Sequence, residues 1–221
     1  MEITNTKVYG LADSIFASGY PMRKLKPCEP KFEAEVASIE TAIAILHYQD
    51  VHSEFFPDND KTNNSHIKRA MKLGDTSKGS GHDQFLTGIH VHFDLDIPTK
   101  VWVEAERYHF LDFVSSMSTM HKLKEFDLTL PGSFDRSTDS RMIKIVQELQ
   151  IRYSQTMDPE DFLTLIMSTP AGLNLCARMV TNYRQLKTIC SQRGTHRLPH
   201  WRTFVDWVRS LPMTKELGVV A

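Results

Sequence analysis

Between residues 89 and 96 the chain alternates strictly, with Ile89, Val91, Phe93 and Leu95 on one side and His90, His92, Asp94 and Asp96 on the other. Successive side chains of a strand point to opposite faces, so this pattern predicts a strand with one buried face. Elsewhere the period lengthens. Over residues 32–48, Val36, Ile39, Ile43 and Leu46 recur at steps of three and four, as on one face of a helix. A shorter helical pattern covers 67–73. Another helix is predicted from Pro98 through Trp102 and Glu106 to a stop near Phe110, with Pro98 in its first turn and Asp96 or Thr99 as caps. Residues 141–153, 158–167, 173–190 and 200–211 each carry apolar residues at helical spacing, and Asp158-Pro159 reads as a helix start. The short apolar run at 8–11 leads to a turn at Gly19-Tyr20-Pro21, and the segments 24–31, 56–66, 74–81, 115–119 and 130–133 read as loops or turns. Strands early and helices late predict an α/β (α+β) fold, residues 1–221 as a single domain, with an antiparallel-type sheet and several packed helices.

Composition narrows the function classes. A chain of 221 residues with 41% hydrophobic residues can build a sizeable core. Its 26 basic residues against 27 acidic ones create no field that would favour nucleic acid or a membrane surface. The three cysteines, Cys28, Cys176 and Cys190, lack Cys-x-x-Cys spacing and suit a reducing compartment. No basic segment followed by an apolar run opens the chain, and no stretch of about 18 apolar residues occurs, so a cytoplasmic protein is expected. Residues 74–80, Gly-Asp-Thr-Ser-Lys-Gly-Ser, hold the residue types of a phosphate cradle but neither the Walker spacing nor the dinucleotide glycine fingerprint, and read as a surface loop.

Several groups carry candidate chemistry. His90, His92 and Asp94 share one strand face, and imidazole with carboxylate suits zinc or iron; alternation of this kind ordinarily marks a solvated polar face, and no metal is expected. Arg107, Tyr108 and His109 suit phosphate, or else offset the dipole at a helix C-terminus. Arg193, His196, Arg197 and His200 beside Trp201 suit an anion or a nucleotide, or form a basic loop entering the last helix. Met117 and Met120 read as core or interface packing residues, and Cys176 and Cys190 as small buried ones. No Ser-His-Asp or Cys-His arrangement stands out.

Gly81-His82-Asp83-Gln84-Phe85, then Arg107-Tyr108-His109, then Asn182-Tyr183-Arg184-Gln185-Leu186 with Arg193, resemble in order and spacing the motifs of the flavin-dependent thymidylate synthases. The likeness covers roughly residues 35–210. In that family a histidine opens the strand, an Arg-His-Arg motif follows the next helix, and an Asn-x-Arg-x-Leu segment precedes another arginine. The resemblance implies the fold of the thymidylate synthase complementing proteins and a homotetramer binding flavin adenine dinucleotide (FAD) and deoxyuridine monophosphate (dUMP). It also implies methylenetetrahydrofolate as carbon donor and NADPH as flavin reductant. His82, Arg107, His109 and Asn182 would contact the cofactor. Glu104, Arg107, Arg193 and His196 would contact the substrate, with Ser116, Ser118 and Arg193 nearest the chemistry. The departures are specific. The motif's central histidine is Tyr108 and its second arginine is His109, so a fixed guanidinium fork has become an imidazole. After the motif the family has Ser, Glu, Ser and Arg at set spacing; here no arginine follows Ser116 and Ser118. Where the family places a phosphate-binding arginine, this chain has Ile166 ahead of Pro170. These changes keep open a non-catalytic nucleotide-binding protein on the same scaffold and, through the histidine strand, a metal-dependent hydrolase. The divergence also raises a viral (phage) or mobile-element origin, and a viral one would place the protein in the host cytoplasm.

Overall fold

The computed structural model describes residues 1–23, 32–52, 54, 62–77 and 80–220. The expected loop at 24–31 with Cys28, most of the polar stretch 56–66 and positions 78 and 79 lie outside the described residues. The elements are β1 (Glu2–Tyr9), α1 (Leu11–Ala17), α2 (Phe32–Val51), α3 (Ser65–Gly74), β2 (His90–Pro98), α4 (Thr99–Ala105), β3 (Asp112–Ser116), α5 (Thr119–Lys122), α6 (Ser140–Thr156), α7 (Pro159–Met167), β4 (Asn174–Asn182), α8 (Tyr183–Arg193) and α9 (Pro199–Arg209), with 3-10 turns between some of them. The strands form one antiparallel sheet in the order β1-β2-β4-β3. Contacts divide the chain into two compact units, Met1–Thr6 with His92–Val180 and Lys7–Val91 with Thr181–Ala221.

The first unit holds most of the sheet. Phe93, Leu95 and Ile97 of β2 and Ala177 and Met179 of β4 are buried, together with Val101, Trp102 and Ala105 of α4. The Trp102 indole Nε1 donates to the Leu175 carbonyl at 3.1 Å, so α4 is tied to the neighbouring strand by a hydrogen bond as well as by apolar area. Helices α6 and α7 pack on each other, and Leu123, Leu128, Val146, Leu165 and Leu173 form a second apolar cluster. Both helices start where the sequence supplies an acceptor. Asp139 accepts from the Arg141 N–H at 2.9 Å, and Asp158 from the Glu160 N–H at 2.7 Å, which satisfies donors a helix N-terminus leaves open.

The second unit is helical. Helix α1 packs against α2 and α3, and α8 packs against α9 and against a 3-10 turn at His82–Gly88. Ile15, Phe16, Ile67, Leu86, Ile89, Tyr183, Leu186, Trp201, Phe204 and Val208 are buried there.

Four expectations are corrected. Residues 173–190 are not one helix: Asn174–Asn182 is a strand and the helix begins at Tyr183. Leu173, Ala177, Met179 and Thr181 are buried at a period of two, so the segment fits a strand, and Asn182 then opens the helix as its cap. This strand also ends the simple order of strands early and helices late. Residues 115–119 are not a loop: Ser115 and Ser116 close β3, and Ser118 caps α5. The pairing of β3 with β4 skips a residue between Phe113 and Ser115, which leaves Val114 as the extra residue of a β-bulge. The helix after Pro98 stops at Ala105 rather than near Phe110. Pro98 takes its N-cap position with no side-chain cap from Asp96 or Thr99, and the Thr99 hydroxyl donates instead to the Leu173 carbonyl at 3.1 Å. Finally, Met117 and Met120 are exposed, which rules out the core and leaves interface packing, and Cys176 lies half-buried on β4 rather than on a helix. Cys190 is buried on α8, where burial pushes its thiol up to about 12, so it serves as a small protonated apolar residue.

Candidate functional site

In the first unit the assigned residues follow one another along α4, the turn after it, and β3. Glu104 is half-buried near the end of α4, while Arg107 and His109 are exposed in the turn that leads to β3. Phe110, next to His109, has φ 62° and is exposed. A bulky residue in the left-handed region is strained, and strain of this kind gathers where a turn must present particular side chains. Ser116 is exposed at the end of β3, opposite Ala177. Ser118 is committed to structure: its Oγ accepts from the His121 N–H at 3.4 Å as the cap of α5. A cavity of about 300 Å³ beside Met117 is lined by Glu2, Asp96, Leu130, Leu173 and Asn174 among others. Its carboxylates make it a poor receptor for phosphate. Ile166, at the position of the family's phosphate-binding arginine, packs against the apolar cluster of α6 and α7.

The strand face that suggested a metal is otherwise engaged. Asp94 accepts from Asn5 Nδ2 at 2.5 Å and from the Arg178 guanidinium at 3.0 Å, and these contacts, the Asn5 bond foremost, hold its carboxyl below the usual range. Among the described residues no three His, Cys, Asp or Glu side chains are arranged to hold a metal ion. The metal-dependent hydrolase therefore has no site among them.

In the second unit His82 is exposed at the start of the 3-10 turn, which Gly81 opens with φ 78°, a left-handed value that favours glycine. His82 thus opens a turn ahead of the strand rather than the strand itself. Asn182 is 7% exposed, and its Oδ1 accepts from the Gln185 N–H at 2.9 Å as the cap of α8. Residues 74–77 show why a glycine stands at 74: a Cβ there would meet the Leu217 carbonyl oxygen at 2.2 Å. That glycine serves backbone packing, not a phosphate cradle.

Arg193 ends α8 and lies over the ring of Trp201, 4.7 Å from guanidinium carbon to ring centre. Its Nη1 is 2.7 Å from His196 Nε2, and the Leu198 nitrogen is 3.2 Å from His196 Nδ1. A guanidinium only donates, so in the 2.7 Å contact the Arg193 N–H is the donor and His196 Nε2 the acceptor, which ties the imidazole to the guanidinium. Arg202 donates to the His196 carbonyl at 2.6 Å and fixes the same loop from α9. The structure thus brings Arg193, His196 and Trp201 together as the sequence suggested.

A group that the sequence reading did not single out lies next to His82. Asp83 is 2% exposed and pairs with Arg184 Nε at 3.2 Å and Lys187 Nζ at 3.4 Å. Its signal in the sequence is faint: one acidic residue in a turn and two basic residues three apart, on one side of a helix, 101 and 104 positions later.

No family model matches the sequence, and no curated protein matches it in sequence. Solved structures do. A crystal structure of the flavin-dependent thymidylate synthase from Helicobacter pylori complexed with FAD and dUMP superposes with a TM-score of 0.67 at 12% identity, over 99% of this chain and 98% of that one. The chain has the fold of the flavin-dependent thymidylate synthases. A second structure of the Helicobacter pylori enzyme with FAD and dUMP gives a TM-score of 0.58 at 14% identity, over 80% of this chain and 91% of that one. Among the described residues no helix is long and apolar enough to cross a membrane.

Proposed function

We propose that this chain is a divergent flavin-dependent thymidylate-synthase-like enzyme that transfers a one-carbon unit and a hydride to a pyrimidine deoxynucleotide resembling dUMP. The observation that carries the reading is the end-to-end likeness of fold to a protein solved with FAD and dUMP, joined to basic and hydrogen-bonding side chains at the positions the motifs select. Residues 1–221 act as one functional domain in this reading, in the cytoplasm.

The donor set suits FAD. His82, Arg107 and His109 are exposed and can meet the diphosphate or the ring edges, while Asn182 acts mainly by fixing the first turn of α8. When bound, flavin supplies the hydride chemistry, with NADPH and methylenetetrahydrofolate as co-substrates. The protein's own part is binding, orientation and charge. Arg193 polarises a pyrimidine oxygen, and His196, which accepts from its guanidinium, lies beside it on the substrate side. Trp201 holds the Arg193 guanidinium over its ring. Glu104, half-buried near the end of α4, and the exposed Arg107 and Ser116 are assigned to the nucleotide by their motif positions. Ser118 caps α5 two residues after Ser116 ends the strand.

Phe110, Phe113, Val114, Met117 and Met120, all exposed, flank the Arg107 and Ser116 segment. An apolar run of this kind beside a site suits a homo-oligomer, a tetramer by resemblance.

The non-catalytic nucleotide-binding alternative is favoured by one set of observations. His109 replaces a fixed guanidinium, Ser118 is committed to a helix cap and Ile166 to an apolar cluster. The half-reaction separates the readings. Flavin bound to the protein and reduced with NADPH without oxygen is expected to reoxidise when dUMP and methylenetetrahydrofolate are both added. Reduced flavin that persists while dUMP still binds would move the assignment to the binding protein.

A further inference from the structure

Asp83 is the buried carboxylate next to the exposed His82, and its partners both come from the first two turns of α8. A 2%-exposed carboxylate is retained as an ion only where cations or N–H donors hold it. Here Oδ1 takes Arg184 Nε at 3.2 Å and Oδ2 faces Lys187 Nζ at 3.4 Å. Lys187 reaches further: its ammonium donates to the Gly74 carbonyl at 2.6 Å and to the Thr76 carbonyl at 3.3 Å. Three acceptors from two segments therefore surround the ammonium of a side chain that is 16% exposed. The result ties together the end of α3, the turn that carries His82, and the start of α8, which Asn182 caps.

We propose that Asp83 is a positioning residue of the cofactor site, joining the His82 turn to Arg184 and Lys187 so that His82, Arg184 and the capped start of α8 are held as one rigid piece for the same ligand. This rests on the reading of His82 and α8 as flavin contacts. Asp83 itself touches no ligand. It spends the Nε edge of Arg184 and so fixes the orientation of a planar guanidinium whose side chain is 36% exposed. It also neutralises part of the charge that two neighbouring cations would otherwise bring to the turn.

The test compares the full-length protein with Asp83→Asn, which keeps the shape and removes the charge, by titrating FAD and following flavin absorbance and fluorescence well below the melting temperature of both. The expected result is FAD binding weakened about 10- to 100-fold, as when a partner that orients a binding side chain is lost, with a changed spectrum of the bound flavin. Asp83→Glu is expected to restore part of the affinity. Asp83→Asn that melts at a lower temperature but binds FAD with wild-type affinity and spectrum would overturn the proposal and leave the function reading standing. Wild-type protein that binds no FAD would overturn both. If Asp83→Asn does not fold, Lys187→Arg takes its place: it keeps the charge but cannot fill the same three-acceptor cage, and unchanged FAD affinity there would equally overturn the proposal.

Discussion

Trp201→Ala is expected to lower the unfolding free energy by about 3–5 kcal/mol, the usual range for truncating a large buried aromatic side chain. Trp201 is 1% exposed, with the Phe204 ring 5.8 Å away edge-on and the Arg193 guanidinium on its face. Its removal opens a cavity between the start of α9 and the end of α8 and at the same time frees the side chain assigned to the pyrimidine. Two effects should therefore appear together: a lower midpoint in urea, and weaker nucleotide binding under conditions where the variant is still folded. Trp201→Phe keeps an aromatic face and much of the volume and should recover a large share of both. A variant that loses stability but binds dUMP like the wild type would show that Trp201 serves the core alone.

Arg193→Ala should behave in the opposite way, with a large effect on ligand and a small one on stability. Arg193 is half-buried at the end of a helix, and its charge-assisted contacts are made at the periphery of the core. A hydrogen bond to a charged group contributes about 1.5–3 kcal/mol, so dUMP affinity is expected to fall about 10- to 150-fold. Calorimetric titration of dUMP in the presence of FAD measures this directly. Both the enzyme and the binding-protein readings predict the weaker binding, and only the enzyme reading also predicts that reoxidation of reduced flavin by substrate is lost. Unchanged dUMP affinity would remove Arg193 from the site.

The strand at the centre of the sheet was legible because one face of it is buried. Ile89, Val91, Phe93 and Leu95 are all buried, and the polar positions between them are not. The longer helices were legible for the same reason, and the cap at Asp158 was readable from Asp-Pro alone. The two strands that were misread lack such a signal. In β4 the period-two residues share the segment with Cys176 and Val180, so apolar positions also recur at helical steps, and a real helix follows with no break between. In β3 every residue is exposed and a bulge interrupts the alternation at Val114, so no pattern of burial marks it as a strand.

Site residues divide along similar lines. Arg193, His196 and Trp201 are near one another in sequence, and their clustering could be read without coordinates. Asp83 with Arg184 and Lys187 could not, since tertiary folding alone brings positions 101 and 104 residues apart to 3.2 and 3.4 Å. Nor could the sequence distinguish Ser116, which is exposed, from Ser118, whose oxygen is committed to a cap. Their difference arises from where β3 ends, the boundary least visible in the pattern.

The central claim is that this fold still serves a flavin. Titrating purified protein with FAD and recording the visible spectrum, before and after adding dUMP, tests it most directly. The account predicts a saturable change in the flavin bands on binding, and a second change when dUMP enters beside it. A protein that leaves the spectrum of added FAD unaltered at every concentration, with or without dUMP, would contradict it.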